Sequence, residues 1–150
     1  MKSTNQVYAM KILNKAEMLK RQTTACFKEE RDVLVFGSKD WITKLHYAFQ
    51  DKRNLYFVMD YYLGGDVLTL LSKFEDRLTE DMVRFYASEI ILAIHSIHEL
   101  GYVHRDIKPD NVLIGKDGHI CLADFGSCLK MDKNRKVNST TAVGLSLIHI

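Results

Sequence analysis

Residues 7–13 are apolar apart from Lys11 and are predicted to form a β-strand, with Tyr8, Met10 and Ile12 on one face and Val7, Ala9, Lys11 and Leu13 on the other. Lys11 falls among apolar neighbours on that face, so its amine requires either a route to water or an anion. The alternative is an edge lysine whose aliphatic stem carries the amine to solvent. Residues 45–49 and 55–59 are two further predicted strands, joined by a charged turn.

A helical pattern, with apolar residues spaced by three and four, then runs to about Phe36 after a polar, lysine-rich span. It places the carboxylate of Glu30 on the same side as Phe27 and Leu34. Glu30 therefore presents the same problem as Lys11, with the opposite charge. Pairing would satisfy both groups, whereas one partner alone would be a buried charge costing roughly 3–5 kcal/mol. The alternative for Glu30 is an exposed helix acid.

A longer helix is predicted between Thr79, a residue type that caps helix N-termini, and Gly101, a residue type that ends helices. Its apolar residues step by threes and fours, which predicts a core element: Val83, Tyr86, Ile90, Ile94 and Ile97. His95 and His98 lie three residues apart on this helix. Because no cysteine or carboxylate has matching spacing, we interpret them as ordinary helix histidines and not as metal ligands.

The composition narrows the class of protein without identifying it. The 150 residues are 47% hydrophobic and 27% charged, which is ordinary for a globular domain. A net charge of +2 gives no reason to expect nucleic acid or an anionic membrane surface as a partner. Three cysteines without a C-x-x-C pair argue for reduced thiols in the cytosol. No apolar run approaches the length of a membrane span.

The chemistry is concentrated in residues 102–111, between two apolar runs. Five charged or amide side chains fall in this stretch: Arg105, Asp106, Lys108, Asp110 and Asn111. A loop anchored in a core by apolar flanks has few ways to hydrate several charges cheaply. The concentration therefore predicts a reaction site.

Residues 104–111 resemble the protein-kinase catalytic loop, H-R-D-L-x-x-x-N, with Ile107 in place of leucine, and residues 124–126 resemble its D-F-G motif. Residues 8–11 resemble the V-A-I-K strand of the same family. The resemblance implies an α+β, two-lobed protein-kinase-like fold that is incomplete here: part of a β-rich upper lobe and the start of a helical lower lobe. It also implies ATP- and Mg²⁺-dependent phosphorylation, with serine/threonine specificity because Lys108 follows Asp106 by two positions.

The resemblance assigns the catalytic roles. Asp106 would orient the substrate hydroxyl and accept its proton, and Lys108 would neutralise the transferring γ-phosphate. Asn111 and Asp124 would bind Mg²⁺, which prefers hard oxygen ligands.

The resemblance also assigns the nucleotide site. Lys11 would hold the α- and β-phosphates of ATP and pair with Glu30. The remaining contacts would come from Ala9, Met59 as gatekeeper, the backbone of Asp60 and Tyr62 at the adenine, Asp66 at the ribose, and Leu113. Without the resemblance, residues 60–66 would be interpreted as a plain connection from strand to helix.

Two features bear on regulation. Four residues match the family's regulatory stack, so His104 is expected to pack and not to act as an acid or base: Leu34, Leu45, His104 and Phe125. Thr141 aligns with the activation-loop phosphorylation site, where a phosphate would pair with Arg105. Ser139 and Thr140 could carry the phosphate instead.

Five segments resemble the AGC group of kinases, and within it myotonic dystrophy kinase and its relatives that bind Rho-family GTPases: residues 28–34, 47–51, 61–66, 70–74 and 123–130. Rho-associated kinase and citron kinase fit residues 70–78 less well. This implies a cytoplasmic, cytoskeleton-associated enzyme that phosphorylates regulators of myosin light chain. GTPase binding would reside in regions absent from this sequence, and the parent protein is expected to be a homodimer.

The sequence departs from the family at both ends. The resemblance covers residues 1–144, but no G-x-G-x-x-G loop precedes Lys11, and the expected T-P-D-Y segment does not follow Gly144. One frame of a transposon-derived sequencing adaptor encodes residues 145–150, so we expect a non-homologous tail on a partial catalytic domain that is marginally stable and nearly inactive alone. The alternatives are a non-catalytic pseudokinase, which usually lacks equivalents of Lys11, Asp106 or Asp124, and a truncated regulatory isoform.

Overall fold

The computed structural model describes residues 6–20 and 27–137. Its upper part is an antiparallel sheet in the order β1-β3-β2, formed by β1 (Tyr8–Asn14), β2 (Leu45–Gln50) and β3 (Asn54–Asp60). The predicted strands are confirmed to within one residue at each end. The turn before β3 is fixed by the Asp51 carboxylate, which accepts hydrogen bonds from the backbone N–H groups of Arg53 and Asn54, both at 2.7 Å.

Two helices belong to the upper part. α1 (Lys15–Lys20) was not predicted, because its six residues bury no apolar side chain and so carry no periodic pattern. α2 (Phe27–Phe36) buries Glu30, Val33 and Leu34. The placement of Phe27 on the core side was wrong: it is 44% exposed, because α2 buries no residue ahead of Glu30.

The lower part is built on α3 (Val67–Lys73) and α4 (Glu80–Glu99). The predicted ends of α4 are confirmed, since Thr79 caps it through the N–H of Met82 and Gly101 follows it with φ +86°. Val83 was wrongly assigned to the core: it is 51% exposed, and the first fully buried side chain of α4 is that of Glu89. Over residues 6–20 and 27–137, no helix is both long enough and apolar enough to cross a bilayer.

Short strands complete the lower part. β4 (Tyr102–Val103) pairs with β7 (Leu129–Lys130), and β5 (Val112–Ile114) pairs with β6 (Ile120–Leu122). A 3₁₀ helix, Pro109–Asn111, leads from the candidate catalytic loop into β5. Together with the sheet and helices above, these elements confirm the expected α+β class.

The two parts share one apolar core and a set of backbone hydrogen bonds. The segment between α2 and β2 runs beside β6: the Leu122 N–H donates to the Trp41 carbonyl at 2.8 Å, and the Thr43 N–H donates to the Leu122 carbonyl at 3.1 Å. The Thr43 hydroxyl donates to the same carbonyl. Leu34 of α2 and Phe125 after β6 lie in the same buried cluster. The sheet is therefore fixed directly above the β5–β6 hairpin.

Glu89 is a buried carboxylate that ties this hairpin to α4. One oxygen accepts the N–H of Ile120 at 3.0 Å, and the other contacts His119 Nδ1 at 2.5 Å. The hydrogen bond to Glu89 raises the pKa of His119 above its ordinary value. The backbone donor of a core strand thus has its partner on a helix, 31 residues away in the chain.

We predict that Glu89→Ala weakens the hairpin, because the buried N–H of Ile120 loses its acceptor, at a cost of about 1–3 kcal/mol. Hydrogen-exchange mass spectrometry of the full-length protein should show loss of protection in the peptide covering β6. Glu99→Ala is the matched control, since Glu99 lies on the same helix and its pair with Arg135 is exposed. Equal protection in wild type and Glu89→Ala would contradict the assignment.

Candidate active site

A three-charge network joins the upper and lower parts. Lys11 extends from β1, and its Nζ lies 2.6 Å from Glu30 Oε1 on α2 and 2.8 Å from Asp124 Oδ1. The Glu30 side chain is only 3% exposed, whereas Lys11 and Asp124 retain partial access to solvent. Asp124 follows β6 in the left-handed backbone region, with φ +57°. The structure thus brings together Lys11 and Asp124, which are 113 positions apart in the sequence.

Burial and charge act in opposite directions within this network. Burial by itself would lower the pKa of Lys11, but Glu30 and Asp124 outweigh it and raise that pKa, so the amine is protonated. Burial raises the pKa of Glu30, and the positive charge of Lys11 opposes this shift. At Asp124 burial acts to raise the pKa, but Lys11 outweighs it and the pKa is lowered. Glu30 therefore depends on Lys11 to stay ionised.

The candidate catalytic loop has its own network. Asp106 Oδ2 lies 2.8 Å from Lys108 Nζ and accepts a 3.2 Å hydrogen bond from Asn111 Nδ2. The same amide nitrogen donates to the Asp106 carbonyl at 2.8 Å. Arg105 adopts φ +69° and donates through Nε to the Ser127 carbonyl at 2.6 Å, which anchors the loop to the segment after D-F-G. The Asp106 carboxylate is consequently fixed in orientation.

His104 is buried and neutral. Its Nδ1 accepts the N–H of Asp106 at 3.2 Å, so Nε2 carries the proton and donates to the Ala123 carbonyl at 3.0 Å. Burial lowers the pKa of His104, in keeping with an uncharged ring. The ring meets Phe125 edge-on, with 5.0 Å between centroids. His104 thus packs and positions the loop, and Phe125 shares its core cluster with Leu34 and Leu45.

A cleft of about 240 Å³ lies between the sheet and the lower part. Eight of the predicted site residues line it: Ala9, Lys11, Glu30, Met59, Asp60, Asn111, Leu113 and Asp124. Thr43 and Ala123 also line it and were not predicted. Ala123 could have been found from its place before D-F-G, but nothing in the sequence indicates that Thr43 reaches the cleft.

Four predicted residues stand apart from the walls of that cleft. Asp106 and Lys108 connect to it through Asn111. Asp66 accepts the N–H of Thr69 at 2.7 Å and so caps α3. The Tyr62 ring lines a second cavity, of about 650 Å³, and burial raises the pKa of its hydroxyl.

Asp60 ends β3, lines the cleft and begins the segment that leads to α3. The N–H of Asp60 donates to the Lys44 carbonyl at 3.1 Å and so is not available to a bound base. The Asp60 carbonyl could accept a hydrogen bond from such a base. Gly64 is required where this segment crosses β5, because a Cβ there would lie 2.6 Å from the Ile114 carbonyl oxygen. The close crossing fixes the distance between the sheet and the lower wall of the cleft.

The oxygen atoms available on Asp124 and Asn111 fit a magnesium ion that would also be bound by phosphate. Asp124 Oδ2 accepts no hydrogen bond from the described residues, and Asn111 uses its Nδ2 for Asp106, which leaves the amide oxygen as a ligand. Among residues 6–20 and 27–137, no three or more His, Cys, Asp or Glu side chains cluster to hold a metal. An ion at this site would therefore complete its shell with phosphate oxygens and water, as Mg²⁺ commonly does.

We predict that Lys11→Met destabilises the protein by about 3 kcal/mol near neutral pH, because Glu30 is left buried without a cation. The folded-state pKa of Glu30 then rises further above its unfolded value of about 4.3. The folded state holds that proton more tightly, so the deficit is smallest below about pH 4 and grows as pH rises towards the new pKa. Scanning calorimetry of the domain containing this chain, over a pH series, measures it.

The double variant Lys11→Met with Glu30→Met is the control, because replacing both members of a buried pair with apolar groups is often neutral. It should recover most of the lost stability and lose the pH dependence. A double variant as unstable as Lys11→Met would contradict the pairing account.

Comparisons with known proteins agree with this geometry. A family model described as the protein kinase domain matches residues 1–146. The chain is 72% identical over 142 residues to the serine/threonine-protein kinase Genghis Khan of Drosophila melanogaster, covering 95% of this chain and 9% of the relative. It is 71% identical to human serine/threonine-protein kinase MRCK beta and 68% identical to human MRCK alpha, in each case over 144 residues that cover 96% of this chain and 8% of the relative.

The chain therefore spans less than a tenth of the length of these curated relatives. The expected resemblance to AGC-group kinases near myotonic dystrophy kinase is confirmed by them. This chain belongs to the protein kinase domain family.

Proposed function

We propose that this chain is part of the catalytic domain of an ATP-dependent serine/threonine protein kinase, which transfers the γ-phosphoryl group of ATP to protein hydroxyls. The observation that carries the proposal is the position of the Lys11 amine, held between Glu30 and Asp124 in the wall of the cleft. Asp106, Lys108 and Asn111 in the loop below it would supply the other groups that phosphoryl transfer requires.

The cleft has suitable groups for each part of the nucleotide. The Lys11 amine would contact the α- and β-phosphates, and the carbonyl of Asp60 would accept from the adenine amino group. The N–H of Tyr62 would donate to the adenine ring. The remaining contacts in the cleft would be apolar, from Ala9, Met59 and Leu113. Asp66, which lies outside the walls of the cleft, would reach the ribose from the N-terminus of α3.

Asp124 and Asn111 would hold Mg²⁺. The ion would supply positive charge that neutralises the phosphate groups. The three-charge network of Lys11, Glu30 and Asp124 sums to −1, so a cation beside Asp124 is electrostatically favoured.

Asp106 would act as the base. Its Oδ2 is occupied by Lys108 and Asn111, whereas its Oδ1 accepts no hydrogen bond from the described residues and so is free to receive a substrate hydroxyl proton. Lys108 lies close enough to the same carboxylate to neutralise a phosphoryl group arriving there. Phosphoryl transfer depends mainly on such positioning and charge neutralisation.

The cellular role is proposed from kinship with these kinases. Identity of 65–72% to kinases of the Genghis Khan and MRCK type supports a role in regulating the actomyosin cytoskeleton, through substrates that control myosin light chain. Rho-family GTPase binding, homodimerisation and a cytoplasmic location are proposed for the whole protein. The candidate phosphorylation site Thr141, with Ser139 and Thr140, and the tail at 145–150 lie outside the described residues.

We predict that Asp106→Asn lowers kcat about 10²- to 10⁴-fold, the usual contribution of a general base, while ATP affinity is retained. The assay is phosphotransfer by the full-length protein to a myosin-phosphatase peptide. Asp81→Asn is the control, because the Asp81 carboxylate, in the first turn of α4, is 95% exposed and makes only a long 3.9 Å contact with Arg84 among the described residues. Equal rates for Asp106→Asn and wild type would eliminate Asp106 as the base.

A further inference from the structure

Three side chains meet where β3 ends, on the face of the sheet opposite Lys11. His46 Nε2 lies 2.5 Å from Asp60 Oδ1, and the rings of Tyr8 and His46 meet edge-on with 4.8 Å between centroids. Tyr8 stands directly opposite Asp60 in the β1–β3 register. Because side chains alternate along a strand, Tyr8 and Lys11 lie on opposite faces. We call Tyr8, His46 and Asp60 the hinge clasp, because Asp60 begins the connection, or hinge, between the sheet and α3.

A bulge in β2 places His46 in the clasp. Leu45 pairs with Met59 and Tyr47 pairs with Val58, so two steps on β2 match one step on β3 and His46 is the extra residue. Bulges of this kind redirect a side chain and often lie beside active sites. Here the bulge brings the imidazole against the last residue of β3.

Asp60 is consequently held at two of its three polar groups. Its N–H donates to the Lys44 carbonyl at 3.1 Å, and its carboxylate contacts His46. Both partners belong to the same bulged stretch next to β3. The third group, the backbone carbonyl, belongs to a residue that lines the nucleotide cleft. Holding the first two groups fixes the position of the Asp60 Cα, from which the carbonyl extends, so a displacement of Asp60 would move the carbonyl as well.

We infer that His46 is a positioning residue for the nucleotide base, acting through the Asp60 carboxylate to orient the Asp60 carbonyl. This inference rests on the proposed kinase function. His46 is absent from the walls of the nucleotide cleft and so acts only through Asp60. A carbonyl accepts from the amino group of adenine but meets an acceptor, O6, in guanine. The hinge clasp therefore sets both ATP affinity and the preference for ATP over GTP.

A positioning role and a purely structural role of His46 predict different effects on stability, kcat and KM. The Asp60 side chain is 37% exposed, so water can solvate its carboxylate when His46 is removed, and stability should change little. A structural role would lower the melting temperature and kcat. A positioning role raises KM for ATP and leaves kcat nearly unchanged.

The test uses the full-length protein with His46→Ala, His46→Gln and Asp60→Ala, and His95→Ala as the matched histidine control on the exposed side of α4. His46→Ala and Asp60→Ala should each raise the Kd and KM for ATP about 3- to 10-fold, the value of one oriented hydrogen bond. Both should reduce the ATP:GTP preference. His46→Gln should restore most of it, because its amide N–H can still donate to Asp60.

The double variant His46→Ala with Asp60→Ala should be no worse than either single variant, since both remove the same link. Asp60→Ala leaves the Tyr8–His46 ring contact in place, so it tests the link even if His46→Ala fails to fold. Wild type that does not bind ATP would refute the proposed function, and this inference with it. If the wild type binds ATP but His46→Ala and Asp60→Ala leave the ATP affinity and the ATP:GTP preference unchanged, the inference about the hinge clasp is wrong and the proposed function stands.

Discussion

The ion pair between Lys11 and Glu30 is the constraint on which the rest of the structure depends. Glu30 is almost completely buried, and a buried carboxylate is tolerated only with a cation close by. The strand that carries Lys11 and the helix that carries Glu30 must therefore approach each other at this point. Any displacement of α2 away from the sheet leaves a charge without a partner.

The same lysine extends the constraint to the lower part. Asp124 contacts Lys11 from below, while the backbone between α2 and β2 is hydrogen-bonded to β6 just before Asp124. The cleft thus has a fixed upper wall, a fixed lower wall and an excess of negative charge between them. Neutral His104 beneath the loop keeps the adjoining core free of a further charge.

Much of this could be predicted from the sequence, for identifiable reasons. The alternation around Lys11 and the helical spacing around Glu30 each placed a charge on a covered face, and the resemblance to protein kinases supplied their pairing. Strand and helix ends were predicted where local signals exist, such as Thr79 and Gly101. The roles of the catalytic-loop residues came from the resemblance, since no periodicity distinguishes a base from a neighbouring carboxylate.

What could not be predicted depends on contacts between distant residues. Phe27 and Val83 have the right periodicity, but a periodic pattern does not reveal where the neighbouring surface ends. Glu89 lies among the apolar residues of α4, and its partners are about 30 residues away. The bulge that redirects His46 has no signal in a strand pattern of six residues.

The most direct test of the central claim is a crystal structure of the full-length protein, or of its complete kinase domain, with a non-hydrolysable ATP analogue and Mn²⁺ in place of Mg²⁺. We predict anomalous density between Asp124 and the Asn111 amide oxygen, with Lys11 Nζ within hydrogen-bonding distance of a phosphate oxygen and still paired with Glu30. Nucleotide bound elsewhere, or Lys11 turned away from both carboxylates, would contradict it.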